Sequence, residues 1–267
     1  MTITINNRDY TIPQLNTKSW KDGNSWLKYI TDKSPRIKPI RSIIVHTHEG
    51  LKSALIQGVG APSSTAQALA RYQVNTDREV SWDYTVDSDG SVLAQNDPAI
   101  DYSWQAGSIN PVSIGIELVQ HNANGTRSLY SEQIQKAVLL IDFLTAAFGI
   151  QRQIPWDKQR DKPVLTQIPR IQNNKTFYGI LGHVQLTKDR GPGDPGEHIF
   201  YALRDAGYEL FNISLDEDLE TWKRRQAVLG IQNPDGIPGP ETVRKLKAGG
   251  MKNGLWVSRP IDDVFSF

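Results

Sequence analysis

The chain has no cysteine in its 267 residues. Structural disulfides, a thiolate nucleophile and a cysteine-based zinc knuckle are therefore excluded, and either a reducing or an oxidising compartment is allowed. It lacks a charge imbalance as well. Thirty basic residues face 29 acidic ones, so nothing points to nucleic acid as a partner. No run of about 18 apolar residues occurs, and the start, MTITINNRDYTIPQL, shows no basic segment followed by an apolar one. The expectation is a protein made in the cytoplasm without a signal peptide and with no membrane segment. Internal repeats and coiled-coil heptads are missing, and a monomer is expected. A G-x-S-x-G elbow is missing too, which leaves serine-hydrolase chemistry without support.

What is present reads as an α/β domain: a central mixed β-sheet flanked by helices, followed by a small C-terminal helical domain. Residues 1–40 are polar with aromatic anchors, and read as an arm with a short helix at 25–31 laid over the domain. The catalytic domain is expected over 41–211. Residues 42–45 form a β-branched run of the kind buried on both faces of a sheet. Residues 64–72 read as a helix, with Ala66, Leu69 and Ala70 inward. VSWDYTVD and SVLAQ flank the turn SDG and predict a hairpin. A strand over 113–119 follows, interrupted by Glu117. The clearest helix spans 131–148: Ser131 suits the N-cap, Ile134, Ala137, Val138, Ile141 and Leu144 make one apolar stripe, and Gly149 ends it. Residues 151–178 are polar and proline-punctuated and read as a loop at a cleft rim. Ile180 and Leu181 mark a short strand leading into His183, and 197–206 reads as a helix. Past Phe211 the composition turns acidic and polar, a linker before a helical module at 218–267.

Four separated residues carry the chemistry: His46 in SIIVHTHEG, Glu117 in SIGIELV, His183 in ILGHVQL and Asp194 in GPGDPGE. Each ends an apolar run or sits in a glycine-rich turn, where side chains reach a cleft rather than the core. Two neutral imidazoles and one carboxylate make the ligand set of a catalytic zinc with an open fourth position. The remaining carboxylate, Glu117, is then available as general base, which points to a metal-assisted hydrolase. His48 shares a strand face with His46; His46 is preferred because it directly follows the apolar run.

Residues 41–207 resemble the zinc-dependent N-acetylmuramoyl-L-alanine amidases of the type 2 group, relatives of the peptidoglycan recognition proteins. The matching pieces come in the family's order: SIIVHTHEG, VSWDYTVDSDGSV, YSWQAG, SIGIEL, the helix YSEQIQKAVLLIDFLTAAFGI, then LGH and DPG. LGIQNPDGIPGPET separately resembles the repeat of small peptidoglycan-binding domains. The resemblance implies Zn2+ on His46, His183 and Asp194, Glu117 as catalytic carboxylate, Tyr84 as the cleft tyrosine, and bacterial peptidoglycan as partner. Many relatives carry a lysine where this chain has Pro192, so Arg190 or Lys188 is expected to stabilise the oxyanion, with Arg190 preferred. The family's histidine in YSWQAG is Gln105 here, expected to line the groove rather than touch the metal. The implied activity is hydrolysis of the bond between the muramic acid lactyl group and L-alanine, in a phage or prophage endolysin. The alternatives are a catalytically silent peptidoglycan-binding protein and a metallohydrolase of soluble muropeptides.

Overall fold

The computed structural model describes residues 2–30, 34–47, 63–123, 126–168, 177–187, 190–213, and 223, 224, 226, 227 and 229–234. The C-terminal module expected over 218–267 lies almost wholly outside them, as do His48 and Lys188.

The centre is a six-stranded mixed sheet in the order β12-β4-β7-β5-β6-β3. Its strands are β3 (Thr17–Ser19), β4 (Ser42–Thr47), β5 (Tyr84–Val86), β6 (Val92–Ala94), β7 (Ser113–Leu118) and β12 (Gly179–Gly182). β12, β4, β7 and β5 run parallel; β6 returns antiparallel to β5 through the predicted hairpin. Gly90 takes the left-handed φ of +79° in its turn, a conformation a side chain resists.

Helix α2 (Ser131–Phe148) covers one face of this sheet. Ala137, Leu140, Ile141 and Leu144 are fully buried in one cluster with Val45, Ile114, Ile116, Tyr84 and Val86. Each buried leucine or isoleucine contributes roughly 1.5–3 kcal/mol, so the stripe read from sequence anchors the layer. The helix spans the residues expected, but its cap is Tyr130 rather than Ser131, and it ends at Gly149 in the left-handed conformation. Gln133, buried in its first turn, donates to Val86 O and Val119 O and ties the helix to the strand ends. Helix α1 (Ser63–Asn75) and α3 (His198–Asp205) complete the layers, α3 burying Ile199, Phe200 and Leu203.

Two expectations need correction. The first 40 residues hold no helix among described positions 25–30; they supply a hairpin, β1 (Ile3–Ile5) with β2 (Arg8–Tyr10), and the edge strand β3, parallel to β6. Ile3, Ile5 and Leu15 join the α2-side core. The stretch 151–178 is not simply a rim loop. It contains β10 (Gln153–Asp157) and β11 (Lys162–Pro163), which form a second sheet with β13 (Glu209–Asn212) and bury Trp156. A hairpin of β8 (His121–Ala123) and β9 (Thr126–Ser128) precedes α2. Among the described residues, no helix is long and apolar enough to cross a membrane.

Candidate metal centre

The site grows out of the register of three parallel strands. β4 and β7 align Ser42 with Ser113 and run in step to His46 opposite Glu117. Cross-strand partners share a sheet face, so imidazole and carboxylate stand side by side on the face away from α2. β12 pairs with β4 up to Gly182 opposite Val45, and His183 follows at the same carboxyl end, where open α/β sheets gather their ligands. Gly182 is required by packing: a Cβ there would lie 2.4 Å from Pro195 Cδ. The loop carrying Asp194 is thereby laid across the strand end.

That loop is clamped. Thr47 N donates to Asp194 Oδ1 at 2.9 Å, Thr47 Oγ1 donates to Gly193 O, and Val184 N donates to Asp194 O at 3.0 Å. With Oδ1 occupied, Oδ2 lies 3.4 Å from His183 Nδ1. His46 Nδ1 is 3.0 Å from His183 Nδ1, and the two rings meet at 70°. Tetrahedral zinc with bonds near 2.0–2.1 Å places neighbouring ligand atoms about 3.3 Å apart. His46, His183 and Asp194 fit such an ion in donor type and spacing, and all three are buried.

Electrostatics agree with that donor set. Burial, and then the neighbouring His183, push His46 down to about 4, so it is neutral at pH 7 as a ligand must be. Burial opposes ionisation of Asp194 too, but the His183 hydrogen bond and the two imidazoles outweigh it and hold its pKa below the ordinary value. Glu117 is moved the other way. Burial first, then the Asp194 charge, raise it well above the usual carboxylate range, against the pull of Arg190. Arg190 reaches in from the rim, its Nε 3.8 Å from Asp194 Oδ2 and its side chain 43% exposed.

These groups line one cleft of about 320 Å3, shared with Tyr72, Trp82 and Gln105. A second cleft of about 350 Å3 adjoins it across His183 and Arg190, walled by Ser108, Ile109 and Leu186.

Residues 36–197, well over half of the chain, match the family model described as N-acetylmuramoyl-L-alanine amidase. The chain belongs to that family. No curated protein matches it. Among solved structures it is similar to the catalytic domain of XlyA, at 27% identity over 52% of this chain and 80% of that one, TM-score 0.35. It is also similar to an AmpD derivative, at 17% identity over 73% and 95%, TM-score 0.42. A human PGRP-IBETAC, solved with glycosamyl muramyl pentapeptide, gives 12% identity over 75% and 100%, TM-score 0.47. These likenesses add nothing to the family assignment, which rests on the matched segment.

Of the six site residues expected of this amidase-family chain, five converge and one does not. Tyr84 pairs with Ile116, not Glu117, and so faces α2. It is 0% exposed, and its hydroxyl is buried without a hydrogen-bond partner among the described residues. The cleft-tyrosine expectation fails on strand parity. Thr85 is the β5 residue level with Glu117, and the aromatics lining the cleft among the described residues are Tyr72 and Trp82, with Trp82 Nε1 donating to Thr85 Oγ1 at 2.7 Å. Gln105 lines the cleft, as expected, and in addition its Oε1 lies 2.6 Å from His46 Nε2. Thr47, the clamp on the Asp194 loop, was not singled out from sequence, and its position directly after His46 was the available signal.

Proposed function

We propose that this protein is a zinc-dependent N-acetylmuramoyl-L-alanine amidase that cuts the bond between the muramic acid lactyl group and L-alanine in bacterial peptidoglycan. The observation that carries the reading is the convergence of His46, His183 and Asp194 at zinc-ligand spacing, with Glu117 in register beside His46. Zinc bound there would supply Lewis acidity, acidifying the attacking water and polarising the scissile carbonyl.

The chain's own groups would do the rest. Glu117 in its carboxylate form, made more basic by its buried setting, takes a proton from the attacking water and returns it to the amine of the departing L-alanine. Arg190, cationic and at the rim, faces the charge that develops on the carbonyl oxygen. Tyr84 takes no part, because it belongs to the core behind the sheet. The two adjoining clefts give an extended substrate room on both sides of His183. A wall-cutting domain joined to a C-terminal segment that resembles wall-binding repeats fits a phage or prophage endolysin. Tethering raises effective concentration on an insoluble polymer.

Digestion of purified peptidoglycan with and without a chelator tests the proposal. New amino termini of L-alanine, no new reducing sugar ends, and loss of both activity and termini on chelation are expected. New reducing ends, or digestion indifferent to the chelator, would contradict it.

A further inference from the structure

We infer that Gln105 fixes the tautomer and aim of His46, making Nδ1 its metal-binding atom; this rests on the metal reading above. The argument is one of proton counting along a chain of hydrogen bonds. Ser113 Oγ donates to Ile109 O at 3.0 Å, so its only hydrogen is spent. It can then only accept from Gln105 Nε2, 3.2 Å away. That contact sets the amide orientation and turns Oε1 toward His46 Nε2 at 2.6 Å. A carboxamide oxygen accepts and cannot donate, so His46 carries its hydrogen on Nε2 and its lone pair on Nδ1. Nδ1 is the atom that lies 3.0 Å from His183 Nδ1. With the amide flipped, two acceptors would face each other at Ser113.

The fold builds a seat for this amide. A Cβ on Gly115 would fall 2.5 Å from Gln105 Oε1, 2.6 Å from its Cδ and 3.1 Å from its Nε2, and these are the three nearest atoms. The glycine, in the middle of β7, therefore leaves room for the Gln105 side chain. Asn110 Oδ1 accepts from the backbone N–H of both Gln105 and Ala106, holding the loop from below. Gln105 is thus a positioning residue acting through His46, and a neutral one where many metal-bound histidines lean on a carboxylate.

The test uses the full chain, zinc and a competing chelator. Gln105→Leu keeps bulk and removes the acceptor, and should weaken zinc roughly 10–100-fold, the usual loss for such a partner. Gln105→Glu keeps an acceptor and should bind within about threefold of wild type or more tightly. Gly115→Ala leaves Gln105 in place chemically but evicts its side chain, and should behave like Gln105→Leu. Independently of any variant, long-range 1H–15N correlation on the zinc-loaded wild type should show His46 protonated at Nε2. Wild-type affinity in Gln105→Leu, or His46 protonated at Nδ1 with zinc on Nε2, would overturn the inference and leave the metal reading standing. A wild type that takes up no zinc would overturn both.

Discussion

The two faces of the central sheet use the same strands for opposite purposes. On the α2 face, Val45, Ile116 and Tyr84 lie level across β4, β7 and β5 and are sealed under the helix. One residue further along each strand, His46, Glu117 and Thr85 form the next row on the other face, and His46 and Glu117 open on the cleft. Because side chains alternate with period two, a single step along the chain separates dry core from chemistry. What decides a residue's role here is parity against its neighbours, not its type or its motif.

Breaking the site face should have the largest effect. His183→Ala removes a proposed ligand, and its zinc affinity should fall by more than the roughly 10–100-fold lost when a supporting partner is removed; elemental analysis of the purified variant reads this. Full occupancy would remove His183 from the metal. Glu117→Gln comes next. It should retain zinc and fold while turnover drops about 10²–10⁴-fold, and near-normal turnover in the zinc-loaded variant would leave Glu117 a structural residue.

The core face should respond in the opposite way. Tyr84→Phe removes a hydroxyl that is buried without a partner among the described residues, so activity should stay within about twofold and stability should hold or rise by about 1 kcal/mol in urea unfolding. Tyr84→Ala, which empties a packed site, should cost about 3–5 kcal/mol. A tenfold loss of activity in a stable Tyr84→Phe protein would put the tyrosine back in the mechanism.

That contrast also explains which parts were legible in the sequence. The strands at Ser42–Thr47 and Ser113–Leu118 and the helix at Ser131–Phe148 carry continuous apolar runs or a clear stripe, and they were read to within a residue or two. His46, Glu117 and His183 stood out because each interrupts or ends such a pattern, and Asp194 because it sits in a glycine-rich turn. Tyr84 was misplaced because the pairing of β5 with β7 is a three-dimensional fact. Only the register shows that Thr85, not Tyr84, stands level with Glu117. β10 was hidden by Pro155. The proline is tolerated because β11 pairs only with Trp156 and Asp157, leaving β13 as the partner at that position. β3 was hidden by its polar composition, with Thr17 and Ser19 as its buried residues. The Gln105 contact joins a loop to β4 across Gly115, and no local pattern encodes it.

A smaller prediction concerns pH. Asp83, fully buried, is pushed up to about 6 by burial, against the Arg36 charge and the hydrogen bonds from Gly115 N and Ser103. Between its ordinary value of 3.8 and about 6 the folded chain holds a proton that the unfolded chain has released. This group therefore lowers stability as pH rises through that window. His46, pushed down to about 4, acts in the opposite sense in metal-free protein, while Asp87 and Glu117, both raised by burial, act in the same sense as Asp83, so the wild-type profile mixes them all. Asp83→Asn isolates the first: its stability relative to wild type should rise from pH 4 to pH 7 by at most about 3 kcal/mol. Urea midpoints of the metal-free proteins at the two pH values measure it. A pH-independent difference would mean that Arg36 keeps Asp83 ionised throughout.

The most direct measurement is anomalous diffraction at the zinc edge on crystals of the zinc-loaded protein. One peak is expected on the face away from α2, bonded to His46 Nδ1, His183 Nδ1 and an Asp194 oxygen at about 2.0–2.2 Å, with Glu117 alongside. A zinc ligated through His48, or held anywhere that leaves Glu117 out of reach, would contradict the account.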